Sequence, residues 1–444
     1  MRGLLWVFLA GCASRQGAEV DVKAYGSAAN CEGCHRKLFV QHRFSMHHLA
    51  FEAPLFQAQL YENLLPAAEK NPRLAREAKS CLSCHSPITW LQGGKELVPR
   101  VEVRREFSGV TCDFCHTVAG FRGAEPGNAN FVPQPGEPKF GPLKQGSDHH
   151  TYLALQTKSE FCGVCHAAQN TLGVETIATY SEWKASAAAK RGVQCQDCHM
   201  STRGFSVDGA PGLDSGEGLS LTLVASREPV KRTHHFPGAH AGSQLSGAME
   251  ITVRDRRVPL VPGQKLTIEV AVNNSRAGHK MPTGSALLRL LWLEVRVGFS
   301  DDTVTELLQA LPTDAARPLD VAYASPPDAK ILGADVPAGA RLYRSVYADA
   351  AGAHTQESWL AAKEIFDSRL ESGEVRTERF EYTVPADVRE GQALRVEASL
   401  KYLTAPSAYY RRFGLPPRQV VVVAADTGLI GTPADERELR PPAR

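Results

Sequence analysis

The sequence predicts an α+β multidomain fold: a helix- and loop-rich N-terminal domain followed by an all-β domain of the β-sandwich type. Three observations carry this. The ten paired cysteines all lie between Cys31 and Cys198. Runs with period-two alternation begin only after about Met249, in a region without cysteine. The 444 residues leave room for two or three domains, each with a core of its own.

The elements follow in order. Residues 1–11 hold one arginine, the apolar run Leu4–Leu9 and then small residues, the pattern of a compact secretion signal. Leu9-Ala10-Gly11-Cys12 has the form of a bacterial lipobox, so Cys12 is expected to be lipidated and to begin the mature chain, with 12–30 as a tether. The alternative is an ordinary signal peptide with an incidental cysteine. Ala13, rather than aspartate, after Cys12 favours the outer membrane by analogy with bacterial lipoprotein sorting. No apolar run reaches the roughly 18 residues of a spanning helix, so a soluble body on a lipid anchor is expected.

Residues 31–245 form the cysteine-bearing domain. Within it "FEAPLFQAQLYENLLPAAEKNPRLAREAKS" has helical composition, with Pro54 near its start, and "AEPGNANFVPQPGEPKFGP" reads as a Pro/Gly loop. Residues 249–426 form the β-domain, with strands expected in "QKLTIEVAVNN", "LLRLLWLEVRVGF", "ERFEYTVPA", "ALRVEASLKYL" and "RQVVVVAAD", separated by turns such as Val261-Pro262-Gly263 and Ser372-Gly373. Residues 427–444 read as a disordered tail. The formal charge of +2 and the lack of a basic run exclude nucleic acid as an expected partner.

The cysteines carry the chemistry. Cys31/Cys34, Cys81/Cys84, Cys112/Cys115, Cys162/Cys165 and Cys195/Cys198 are each a Cys-x-x-Cys pair, and each is followed at once by histidine: His35, His85, His116, His166 and His199. A bare Cys-x-x-Cys suits zinc or a redox dithiol, and neither needs histidine at that offset. Histidine is 15 of 444 residues. Five hits in five pairs by chance has odds of roughly one in ten million or worse. The pattern is that of c-type haem, in which two thiols add to the porphyrin vinyl groups and the adjoining imidazole binds iron. Five covalently attached haems are expected, at about 34 residues per haem, so the porphyrins themselves serve as core.

The first cysteines stand at 31, 81, 112, 162 and 195. A shift of 81 carries the first motif onto the third and the second onto the fourth. We read a two-haem unit used twice, plus one further haem.

Ten histidines lie outside the motifs, at 42, 47, 48, 149, 150, 234, 235, 240, 279 and 354, and all but His354 are clustered. In a chain with five irons such clusters read as second axial ligands. Each doublet contains a passenger, because neighbours on a helix point about 100° apart and rarely share one iron. A filled sixth position makes an electron carrier, and an open one can bind and reduce a substrate.

"SMHHLAF", "SGVTCDFCH", "SEFCGVCH", "CQDCHM", "RTHHFPGAH" and "NNSRAGHKMPTG" resemble, in order, elements of the multihaem cytochromes related to cytochrome c-554. The resemblance runs from Cys31 to about Gly284, and "DSRLESGEVRTERFEYTVP" resembles the β-rich extension of some members. It implies that His47, His234 and His279 are distal ligands, that one of His149 and His150 is a fourth, and that His240 is the best remaining candidate for the fifth. The chain departs from the family at Phe44 and His42, where tryptophan is more usual at the second, which leaves His42 unassigned. Met46, Met200 and Met281 are expected to pack, and His354 to be an ordinary histidine.

Three functions of different kind follow. The first is an electron carrier of the periplasm or cell surface, exchanging electrons with redox partner proteins such as other cytochromes or a quinol-oxidising complex. The second is a multihaem reductase of nitrogen or sulfur oxyanions with one open haem. A structural role in filaments or an outer-membrane complex is a third.

Overall fold

The computed structural model describes residues 20–144, 150–201, 232–299, 305–310 and 318–432. The expected leader, Cys12, His149 and most of the expected tail lie outside these residues. Among the described residues no helix is long and apolar enough to cross a membrane.

The N-terminal half is built from short helices joined by loops. The segment read as helical runs Pro54–Gln57, Ala58–Leu64 (one π turn), Leu65–Ala68 and Pro72–His85. The last of these begins where Asn71 Oδ1 accepts from Arg73 N (3.1 Å) and Leu74 N (3.3 Å), with Pro72 in the first turn, where its missing N–H costs nothing. Leu74, Ala78 and Leu82, four residues apart, form its buried stripe. They pack with Phe51, Leu60, Leu64 and Trp359. The helix thereby delivers Cys81, Cys84 and His85 in its final turns. The fourth and fifth motifs likewise lie within the short helices Ser159–His166 and Cys195–His199.

Two segments differ from the sequence reading. The Pro/Gly stretch holds two short strands. Phe131–Pro133 pairs antiparallel with Val118–Phe121, and Lys139–Gly141 pairs parallel with His150–Tyr152. Such two- and three-residue ladders are closed by distant partners, and local composition carries no sign of them. Within the expected tether, Val22 and Tyr25 pack with Ile88, Leu91 and Phe131.

The C-terminal half is all β apart from short helical turns. Its main strands are β1 (Glu250–Val253), β2 (Lys265–Asn273), β3 (Leu290–Phe299), β4 (Arg341–Tyr343), β5 (Ser345–Ala348), β6 (Lys363–Asp367), β7 (Val375–Thr383), β8 (Ala393–Leu403) and β9 (Val421–Gly431). One sheet has the order β7-β2-β1, with Val375 opposite Asn273 and Thr383 opposite Lys265. The other places β8 between β3 and β9, with β4 on the free edge of β3. Alternate residues face inward. Leu266, Ile268, Val270 and Val272 of β2 meet Leu291, Leu293, Val295 and Val297 of β3 and Val396, Ala398 and Leu400 of β8. A third, small sheet of β5 and β6 with His354–Thr355 was not visible in the sequence. It adjoins buried ion pairs of Arg341 with Asp320 (2.9 Å) and Glu378 (2.8 Å), and of Arg344 with Asp328 (2.8 Å). β9 runs past residue 426, into the first residues read as tail.

The halves are packed together. Arg73 Nη1 donates to Trp359 O (2.8 Å), Asn170 Nδ2 to Ser358 O (2.8 Å) and Ala361 O (2.6 Å), and Gln59 Nε2 to Tyr409 Oη (3.0 Å). A second clamp holds the β2–β3 loop. Glu182, on the helix Thr179–Ala185, takes Arg369 Nη1 at 2.5 Å and Thr283 Oγ1 at 2.6 Å, and Thr179 Oγ1 accepts from Gly284 N at 3.2 Å. Arg369 and Glu182 side chains are each only 5% exposed. A buried carboxylate and guanidinium hold each other in place because either alone would be a stranded charge.

Candidate haem-binding site

A continuous internal cavity of about 3060 Å³ runs through the N-terminal half and along the β-domain. A pocket for one drug-sized ligand is roughly 300–1,000 Å³, so this space suits several large groups. Both cysteines and the histidine of all five motifs line it.

Two motif histidines, His85 and His116, are held by backbone carbonyls. His85 Nδ1 donates to Ala50 O (3.0 Å) and His116 Nδ1 to Phe140 O (2.6 Å). An Nδ1–H engaged in this way leaves Nε2 as the bare nitrogen, the form a metal needs. His279 has the same arrangement, with Nδ1 donating to Lys280 O (2.8 Å).

Opposite three motif histidines stands a second imidazole. The ring centres of His47 and His166 are 6.1 Å apart, those of His116 and His234 6.4 Å, and those of His199 and His279 6.3 Å. An imidazole–metal bond of about 2.0 Å, plus about 1.1 Å from nitrogen to ring centre, puts two ligands on opposite sides of one iron about 6.2 Å apart. The donor set and its spacing fit haem iron. Burial, with repulsion from nearby imidazoles, pushes His47 and His234 down to about 3 and His199 to about 4. These rings are neutral and offer a lone pair.

The distal segments brace one another. Met46 N donates to Phe236 O (2.9 Å), and the Phe236 ring lies 4.4 Å from that of His47. Val110 N donates to His47 O (2.8 Å). This approach needs Gly109, whose φ is +75° and where a Cβ would lie 2.1 Å from His48 O. His279 is held by the Glu182 clamp, with Gly278 against Trp183 and Ala188.

The other candidates separate. His42 turns Nε2 to Val110 O (2.8 Å) and lies edge-on to His48, so it supports the distal segment. His150 lies against Gly141, in the ladder beside the third motif. His235 is buried next to His234. His240 lines the cavity, and among the described residues it has no ring pair with a motif imidazole. Opposition to His85 is also missing from the described histidines; Phe56 stacks flat on its ring at 3.8 Å. His354 sits in the small third sheet.

The thiols show how the motifs are arranged. Cys31 lies near Cys112, Cys84 near Cys165 and Cys162 near Cys195. The first two pairs join residues 81 apart, so the repeat read from the sequence brings equivalent motifs close together. Cys115 lies within electrostatic reach of Cys162 and Cys165. The motifs thus run one–three–four–five, with the second branching from the fourth.

Five Cys-x-x-Cys-His motifs round one cavity, three of them with a second imidazole across it, have the form of c-type haem attachment sites beside a C-terminal β-domain. The comparisons agree. The family model for cytochrome c554 and c-prime matches residues 30–117. The chain is similar in fold to a penta-heme cytochrome c552 from Thermochromatium tepidum, with a TM-score of 0.60 and 20% identity over 91% of this chain and 99% of that one. AvmM, which catalyses macrocyclization in alchivemycin A biosynthesis, is a remote match at TM-score 0.18, 9% identity, 43% of this chain and 93% of that one, and carries no argument. No curated protein matches in sequence.

Proposed function

We propose that the chain is an exported pentahaem c-type cytochrome that carries electrons along a row of histidine-paired irons in a respiratory or extracellular electron-transfer pathway. The observation that carries this is the set of three imidazole pairs at trans spacing. Haem c supplies a one-electron couple at each site, and two histidine ligands hold it at lower potential than a histidine–methionine pair. His35, His85, His116, His166 and His199 are the proximal ligands, and His47, His234 and His279 the distal ligands of the fourth, third and fifth motifs. One of His149 and His150 serves as a fourth distal ligand. The thiol pairs order the sites, and the exposed Cys34 and Cys198 mark the first and fifth motifs as the ends nearest solvent.

His85 favours a second reading, a reductase of nitrogen or sulfur oxyanions at the second motif, because no described histidine stands opposite it. One experiment separates the two. Holoprotein made with a cytochrome c maturation system should gain the mass of five haems and show low-spin signals in low-temperature electron paramagnetic resonance. A high-spin signal from one haem that shifts on adding nitrite selects the reductase. Fewer than five haems would show an unused motif.

Export and anchoring belong to the same proposal. Cys12 is the lipidated residue, and redox partner proteins meet the cytochrome at the outer membrane. Cys12→Ser should release soluble holoprotein with an unaltered haem spectrum. Wild type that already washes off membranes in buffer alone would overturn the lipobox reading.

A further inference from the structure

Arg289 stands in the cavity wall beside the His279 loop. Its Nε donates to Thr283 O (3.4 Å) and its Nη1 to Thr404 O (2.7 Å). Both partners are neutral carbonyls. Among the described residues no carboxylate pairs with it. The four acids that line the cavity are engaged elsewhere. Glu77 accepts from Thr171 N (2.8 Å), Asp113 and Glu137 meet Lys139 (2.5 and 3.7 Å), and Asp197 meets Arg232 (2.5 Å). A half-buried guanidinium without a counter-charge is costly and calls for an anion.

The neighbours of Arg289 suit the same ligand. Tyr402 is 2% exposed, and its hydroxyl lies in the cavity wall beside Thr404. His240 faces the same space, where burial and the positive charges of Arg418 and Arg289 hold its pKa down. Nothing acidic stands at this corner among the described residues, yet it holds a fixed guanidinium, a phenol and an imidazole. Each haem carries two propionate carboxylates, and a guanidinium binds a carboxylate by parallel charge-assisted hydrogen bonds.

We propose that Arg289, Tyr402 and His240 form a carboxylate-binding corner for a propionate of the haem next to the His279 loop. His240 then serves this corner and no iron. The proposal rests on the haem reading above. The cation near the propionate favours the reduced iron, so losing it lowers that haem's potential.

The test uses holoprotein with Arg289→Gln, Arg289→Lys, Tyr402→Phe and His240→Ala, and reads haem mass, spin state and spectroelectrochemical potentials. All should keep five haems and the wild-type spin spectrum. Arg289→Gln should shift one redox equilibrium about tenfold toward oxidised, about 59 mV for a one-electron couple. Tyr402→Phe should shift it less in the same direction, and Arg289→Lys should keep most of the wild-type potential. Unchanged potentials in both Arg289→Gln and Tyr402→Phe would overturn the corner. So would a new high-spin haem in His240→Ala, which would make His240 an iron ligand. A wild-type potential that moves with inorganic phosphate, and stops moving in Arg289→Gln, would mean that the corner takes a free oxyanion. Loss of haem mass in the wild type would instead refute the haem reading beneath it.

Discussion

A His279→Ala protein is expected to keep all five haems while one iron changes from low-spin to high-spin and its potential rises. Attachment uses only the Cys-x-x-Cys-His motifs, and His279 is 80 residues beyond His199 in the sequence. The two rings nonetheless lie 6.3 Å apart with planes only 15° from parallel. On the proposed ligation, removing the imidazole would take away one iron ligand and leave the thioethers and His199 in place. The substitution should also loosen the domain contact, because the loop is held from one side by Glu182 and Thr179 and from the other by its ligand. Limited proteolysis should then cut faster at 242–248. An unchanged spin-state spectrum would show that His279 is no ligand.

The second large effect is expected from Cys81→Ala combined with Cys84→Ala. One haem should be lost, and the domain should be destabilised by more than the roughly 2–5 kcal/mol of truncating one buried leucine. Cys81 packs at the edge of the cluster of Phe51, Leu60, Leu64, Ala78 and Leu82, where Trp359 enters from the β-domain. Without its haem that cluster borders an empty space too large to collapse. Guanidinium unfolding of the double variant should give a lower midpoint, and the Trp359 contact should be among the first to open. A variant as stable as wild type would contradict the idea that porphyrin replaces apolar side chains here.

Much of this was legible because it rests on local pattern. β8 was delimited to the residue by the alternation in Ala393–Leu403, since one buried face imposes a period of two. The haem motifs were legible because covalent chemistry fixes both residue type and spacing. The histidine doublets were not resolved by spacing alone. Which of two neighbours faces a cavity depends on how the segment lies, as with His47 against His48, or His234 against His235. The buried ion pairs of Arg341 and Arg344 leave no mark in the local sequence, because only the fold brings Asp320, Asp328 and Glu378 to them. The setting of His240 was hidden for a related reason. Its surroundings, Arg289 and Arg418, are 49 and 178 residues away in the chain, and they make it a companion of arginines.

The clamp on the β2–β3 loop bears on the order in which the molecule is completed. Haem attachment needs only residues up to His199, whereas β2 has its partner in β7 and β3 in β8. The loop between β2 and β3 is therefore not fixed until residues 375–403 have been made and folded. On the proposed export and ligation, a chain translocated from its N-terminus can take up every porphyrin before the His279 loop is fixed against its iron. An exported chain truncated within the C-terminal half would be fully coloured yet carry one five-coordinate iron, so the optical spectrum itself would distinguish complete molecules from truncated ones.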